Sequence, residues 1–219
     1  MLRYEELKGN AIIRTYLEQG NANLDVLGFT DHSLAHTVKV AITAGHILQE
    51  LGYSESEIEL VKVAGLMHDL GNCINRNNHA LSGALMAFNL LPQFGATAEE
   101  TAKICAAIGH HDEGTGGAVD VISAALIIAD KSDVRRNRVR NRDQATFDIH
   151  DRVNYAAKSS KLTVDREAKE IRLDIELDDE ICSLMDYFEI FLDRMIMCRR
   201  AAEMLDCQFK MQANGSKIL

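Results

Sequence analysis

The sequence predicts a mainly α-helical body with a small C-terminal α+β appendage. Three observations carry that expectation. The 219 residues contain a single proline, Pro92, and proline is the strongest interrupter of helices. Strong helix formers dominate to about residue 158, so the first two thirds of the chain should be mostly helix. After Lys158, "KLTVDREAKEIRLDIEL" sets short alternating apolar stretches either side of a polar turn, as a β-hairpin does. With 47% hydrophobic residues, a chain of this length can fill one substantial core. The expected division is a helical unit over 1–158 and the appendage over 159–219.

Each element has its own signal. Asp31 or Ser33 can cap a helix whose apolar positions Val40, Ala44, Ile47, Leu48 and Leu51 keep the helical period until Gly52, a residue that suits a helix end. Ser54 caps the next, with Glu57 at the capping-box position, and Ile58, Val61, Ala64, Gly65 and Met67 run on to Gly71. Further helices are expected over 79–90, 97–110 and 118–130. Beyond the hairpin, a helix is expected from about Asp179 to Leu205, then a strand, an Asn-Gly turn and a strand in "CQFKMQANGSKIL", because Asn-Gly favours a tight hairpin turn. The Met and aromatic residues of "LMDYFEIFLDRMIMCRRAAEML" read as core, with the seam of a homodimer as the alternative.

Composition excludes several functions. The formal net charge is -9, which argues against nucleic acid or an anionic membrane as partner, since both need a positive field. Five cysteines, never closer than nine residues, form no CxxC pair, so they read as reduced thiols of a cytoplasmic protein. "MLRYEELKGN" has no apolar signal segment, and "ISAALIIA" over 122–129 is too short to span a bilayer.

The chemistry collects in histidines and aspartates. Seven of the eight histidines precede residue 112. His32 and His36 are four apart and share a helix face. His68 and Asp69 are adjacent at a helix end, His79 follows a polar stretch, His110 and His111 are adjacent, and Asp130 closes the apolar run "ALIIA". An ionised aspartate in that position is costly to bury without a partner, and a metal is an effective one. Imidazole with carboxylate, and without cysteine, suits iron, manganese or zinc in a hydrolytic site.

"HTVKVA" at His36, "AGLMHDLGN" around His68 and Asp69, and "IIADKSDVRRNR" at Asp130 together resemble the HD superfamily of metal-dependent phosphohydrolases, over roughly residues 30–142. "HALSG" at His79 and "GHHDEGTGG" at His110 and His111 are similar to the additional histidine segments of its multi-metal members. The resemblance implies a helical HD bundle holding two divalent transition-metal ions, iron or manganese first, with zinc, cobalt or nickel as alternatives. It implies His36, His68, Asp69 and Asp130 as ligands of one ion, and Asp69, His79, His110 and His111 as ligands of the other, with Asp69 bridging. A water activated by the two metals would attack phosphorus, and the implied substrate is a small phosphorylated molecule, a nucleotide or dinucleotide polyphosphate.

Two departures shape that expectation. Gly116, Gly117 and Ala118 stand where cyclic-dinucleotide phosphodiesterases have Gly-Tyr-Pro, which makes a cyclic (di)nucleotide phosphodiesterase the runner-up. Asn72 stands where many multi-metal relatives have lysine; it can donate a hydrogen bond to a phosphoryl oxygen but carries no charge. A metal- or nucleotide-binding sensor without turnover is the reading from another class. "KSDVRRNRVRNR" carries six positive charges in twelve residues, and Lys131, Arg135 and Arg136 are the candidates for phosphate contact, with a solvated face paired to acids as the alternative. His32 is a secondary candidate, read as an extra ligand, a partner of His36 or an exposed helix-start residue. Glu113 is a candidate for proton transfer or a loop residue, and His150 reads as structural.

Overall fold

The computed structural model describes residues 2–141 and 143–218; Arg142, the last arginine of the basic stretch, lies outside them. The helices run α1 (Tyr4–Lys8), α2 (Ala11–Val26), α3 (Leu34–Leu51), α4 (Glu55–Met67), α5 (His79–Leu90), α6 (Ala98–Gly109), α7 (Val121–Lys131) and α8 (Ile149–Ala156). Then come β1 (Ala157–Asp165), β2 (Glu170–Leu177), α9 (Leu184–Met204), β3 (Gln208–Ala213) and β4 (Ser216–Lys217). The fold is thus mainly α with a small sheet.

Local chemistry sets most boundaries. Ser54 and Glu57 form a reciprocal capping box at α4, as do Thr97 and Glu100 at α6, each satisfying amides that the first helical turn leaves free. Gly52 ends α3 in the left-handed region at φ 82, where a Cβ would be strained. Two starts differ from the sequence expectation. The helix expected from 118 begins at Val121, because Asp120 is itself extended and caps the helix by accepting from the Ser123 amide. The helix expected from 179 begins at Leu184, capped by Ser183 with Asp186.

α4 is the buried centre of the bundle: Ile58, Val61, Val63, Ala64, Leu66 and Met67 are all in the core. It packs on α3, α6 and α7. Gly65 permits the close approach of α3, since a Cβ there would lie 2.7 Å from the Cα of Ala41. That proximity brings the first turn of α3 and the end of α4 together, which places His36 beside His68.

The sheet has order β1-β2-β3-β4. β1 and β2 are the expected antiparallel hairpin, with Leu162 opposite Leu173. β3 lies parallel to β2, Met211 against Leu173, and turns through Asn214 and Gly215, both at positive φ, into β4. Ile171, Leu173, Ile175, Phe209 and Met211 are buried and belong to the same apolar cluster as Leu66 and Leu126 of the bundle. α9 packs along α7 as well as on β3, so the C-terminal segment lies against the helix that ends in Asp130. No helix among the described residues is long and apolar enough to cross a membrane.

Candidate metal centre

Five elements deliver polar side chains to one buried point. His36 comes from the first turn of α3, His68 and Asp69 from the end of α4, His79 from the start of α5, His111 from the residues after α6, and Asp130 from the last turn of α7. His36, His68, Asp69, His79 and His111 are buried. Each imidazole is held from behind. Nδ1 of His36 donates to Asp133 Oδ2 at 2.8 Å, that of His68 to the Gly65 carbonyl at 2.8 Å, that of His79 to the Arg76 carbonyl at 3.1 Å, and that of His111 to the Ile108 carbonyl at 2.6 Å. A ring that donates through Nδ1 presents the lone pair of Nε2 when neutral, so four histidines present the same atom to the same space.

Those Nε2 atoms meet carboxylates. His36 Nε2 lies 3.3 Å from Asp130 Oδ1 and 3.7 Å from Asp69 Oδ2. His68 Nε2 lies 3.3 Å from Asp69 Oδ2 and 3.7 Å from Asp130 Oδ1. On the other side of the same aspartate, His79 Nε2 lies 3.8 Å from Asp69 Oδ1 and 3.1 Å from His111 Nε2. Asn72 donates to Asp69 Oδ1 at 2.7 Å. Two triads, His36 with His68 and Asp130, and His68 with Asp69 and His111, have one ligand atom each within 4.8 Å of one another.

These donors fit metal ions. Among the described residues, His36 Nε2 and Asp69 Oδ2 are buried without a hydrogen-bond partner, an arrangement that costs free energy unless something completes it. A divalent cation accepts both lone pairs at once. The local field agrees. Burial opposes ionisation of Asp69, yet His68, His32 and His36 outweigh it and hold its carboxyl well below the usual aspartate range. Burial likewise opposes a charge on His68, but Asp69 and Asp130 prevail and raise its pKa; the potential that holds a proton there also attracts a metal cation. Burial lowers the pKa of His79 and, more strongly, that of His111, leaving both as neutral donors.

The structure sorts the remaining candidates. His110 is half-buried at the end of α6 and joins neither triad, whereas its neighbour His111 faces His68 and His79. His32 lines the cavity beside His36, ring centroids 5.6 Å apart, with Nδ1 donating to the Thr30 carbonyl at 2.7 Å. Asn72 spends its amide on Asp69 and so orients that carboxylate. Lys131 is buried at the cavity wall, its Nζ 2.8 Å from Asp130 Oδ2 and 2.6 Å from Glu113 Oε2. Arg135 and Arg136 turn elsewhere: Arg135 grips both oxygens of Asp133, and Arg136 stacks on Tyr155 and donates to its carbonyl.

Other residues arrive that the motifs did not announce. Asp133 orients His36 and is itself held by Arg135 and Arg138. Arg76, Arg138 and Arg194 line the cavity, and so do His150, Asp151 and Asn154 of α8. Arg194 carried a legible signal: helical spacing puts it on the same face of α9 as the buried Phe191 and Cys198. Arg76, in a polar loop, carried none.

A family model described as HD domain matches residues 33–190, well over half of the chain. An uncharacterized protein of Methanocaldococcus jannaschii is 26% identical over 200 residues, covering 81% of this chain and 76% of that protein. Ribonuclease Y of Thermosipho melanesiensis is 26% identical over 160 residues, covering 70% of this chain and 30% of that enzyme. Ribonuclease Y of Deinococcus radiodurans is 34% identical over 106 residues, 44% of this chain and 17% of that enzyme. The chain therefore spans less than a third of the length of these two ribonucleases. A crystal structure described as a predicted HD superfamily hydrolase, from an uncultured Thermotogales bacterium, aligns with TM-score 0.45 and 24% identity over 57% of this chain and 67% of that one.

Proposed function

The chain belongs to the HD domain family, and from that premise we propose that it is a metal-dependent phosphohydrolase acting on a phosphate ester or anhydride. The observation that carries the reading is the set of four buried histidines whose Nδ1 atoms are all committed to protein acceptors, while the Nε2 atoms of His36, His68 and His79 lie within 3.8 Å of Asp69 or Asp130 and that of His111 lies 3.1 Å from His79 Nε2. Such outer partners fix the ring and tautomer of metal-ligating histidines.

His36, His68, Asp69 and Asp130 would hold one divalent ion, and Asp69, His79 and His111 a second. Iron or manganese suits this imidazole and carboxylate mixture best, with zinc, cobalt or nickel as alternatives. When bound, the ions would polarise phosphoryl oxygens and lower the pKa of a water. The protein's own part is to place the substrate. Lys131 sets a cation beside Asp130, held there by Glu113, where it can neutralise a phosphoryl oxygen. Phe191 and Asn154 are buried walls of the same cavity and restrict the entry of bulk water.

The proposed substrate is a nucleotide or dinucleotide polyphosphate. What supports an anionic substrate is the cluster of Arg76, Lys131, Arg138 and Arg194 around one cavity in a chain of net charge -9. Phosphodiester cleavage, as of a cyclic nucleotide or dinucleotide, is the second reading, favoured by the resemblance to ribonuclease Y. The same reading includes a cytoplasmic protein, with all five cysteines as free thiols.

The test is turnover by manganese- or iron-loaded protein on p-nitrophenyl phosphate, its bis ester, diadenosine tetraphosphate, nucleotides and cyclic dinucleotides. Release of phosphate or of a nucleoside phosphate from an anhydride is the expected result. Hydrolysis of diesters alone selects the second reading. Metal and nucleotide binding without turnover would replace both with a sensor.

A further inference from the structure

Arg194 lines the cavity and belongs to neither metal triad. It lies on α9, beyond Ile190, where the family match ends. It interrupts the face of α9 that buries Tyr187, Phe191 and Cys198, and a cation on an apolar face is costly unless something answers it. The answer in this structure is incomplete. Nε donates to Glu113 Oε1 at 2.9 Å, and the guanidinium carbon sits 4.6 Å from the centroid of the Phe191 ring. Among the described residues, the two terminal nitrogens have no hydrogen-bond partner. The guanidinium is fixed along one edge and one face, and the residue lines the cavity.

Arg76 reaches the same cavity from the loop ahead of α5. Its hydrogen bonds are long, 3.4 Å to Asn72 Oδ1 and 3.4 Å to His79 Nε2, and it lies over the Phe29 ring at 5.6 Å. Guanidinium forks match the oxygens of a phosphate bidentately. One phosphoryl group at the metal triads would be served by bound ions and by Lys131, so two further forks at the same cavity exceed what a simple monoester would use.

We propose that Arg194, together with Arg76, forms a subsite for a second, non-scissile phosphate, so that the substrate is a molecule carrying at least two phosphate groups. The inference rests on the phosphohydrolase reading, but it concerns the protein's own arginines and is tested by binding.

The experiment compares adenosine monophosphate with its α,β-methylene diphosphate analogue by calorimetry on manganese-loaded protein, with metal content measured alongside. The two probes share base and ribose, so their difference reports the second phosphate. Wild-type protein is expected to bind the diphosphate at least ten-fold more tightly. Arg194→Gln is expected to remove most of that preference while retaining its metal, and Arg76→Gln to reduce it. Arg194→Lys, which keeps the charge and loses the fork, should fall between wild type and Arg194→Gln, and it stands in for that variant if glutamine impairs folding. Equal affinity of wild type for both probes, or a preference unchanged in the Arg194 variants, would overturn the subsite. If the phosphohydrolase reading itself fails, the protein holds no metal or turns over no phosphate compound, whatever Arg194 binds.

Discussion

His36 Nε2 and Asp69 Oδ2 face each other at 3.7 Å, both buried and, among the described residues, both without a hydrogen-bond partner. His36 Nε2 also lies 3.3 Å from Asp130 Oδ1 and Asp69 Oδ2 lies 3.3 Å from His68 Nε2, and the other oxygen of Asp69 is 3.8 Å from His79 Nε2. Asp69→Ala is therefore expected to reduce bound metal and abolish turnover. Circular dichroism should show nearly wild-type helicity, because α4 is held by Val61, Ala64 and Leu66. Retention of full metal content and wild-type turnover would refute the bridging role.

The hydrogen bond from Asn72 to Asp69 Oδ1 gives a second expectation. Asn72→Ala frees the carboxylate to rotate, and loss of such an outer partner typically lowers metal affinity by roughly ten- to a hundred-fold. Activity should recover as metal concentration is raised. If metal affinity stays unchanged and KM alone rises, Asn72 contacts substrate instead.

The limits of legibility follow from the same residues. Ser54 with Glu57 and the Asn214-Gly215 turn act over a few residues, so their elements stood in the sequence. His36, His68, Asp69 and Asp130 stood there as a pattern whose spatial convergence the helix packing then supplies. What the sequence hid depends on long-range pairing. No local signal shows β3 joining β2 in parallel, or α9 lying along α7 and so carrying Arg194 to the cavity. The basic stretch shows the converse. Arg135 and Arg136 sit close in sequence to Asp130, yet Asp133 and Tyr155 take them.

Lys131 remains the cation beside Asp130. Lys131→Met keeps most of the stem's packing and removes the charge. Metal content should hold while kcat/KM falls about ten- to a hundred-fold, which corresponds to roughly 1.4 to 2.7 kcal/mol of transition-state stabilisation. Arg140→Met, whose guanidinium pairs with Asp25 instead, should cost far less. Equal small losses at both positions, suppressed by salt, would indicate long-range steering and no contact.

Glu113 links Lys131 and Arg194. Burial opposes its ionisation, but the two cations outweigh it and hold its carboxyl well below the usual glutamate range. A depressed folded value means that its stabilising effect is complete above the unfolded value of about 4.3 and is lost as pH falls through the folded one. Glu113→Gln should therefore lower the urea midpoint at pH 7, and the gap should narrow as the pH drops below about 4. The acid limb of the pH-rate profile should not move, since Glu113 stays ionised at neutral pH. A shifted limb would make it the proton-transfer group.

Metal analysis of wild-type protein purified without chelator, alongside its turnover of phosphate esters and anhydrides, tests whether the convergent histidines and aspartates hold catalytic metal. About two transition-metal ions per chain are expected, as a two-metal clamp requires, with turnover that disappears when a chelator removes them and returns when manganese or iron is restored. A folded protein that stays empty after incubation with iron, manganese and zinc would mean that this cluster is not a metal centre.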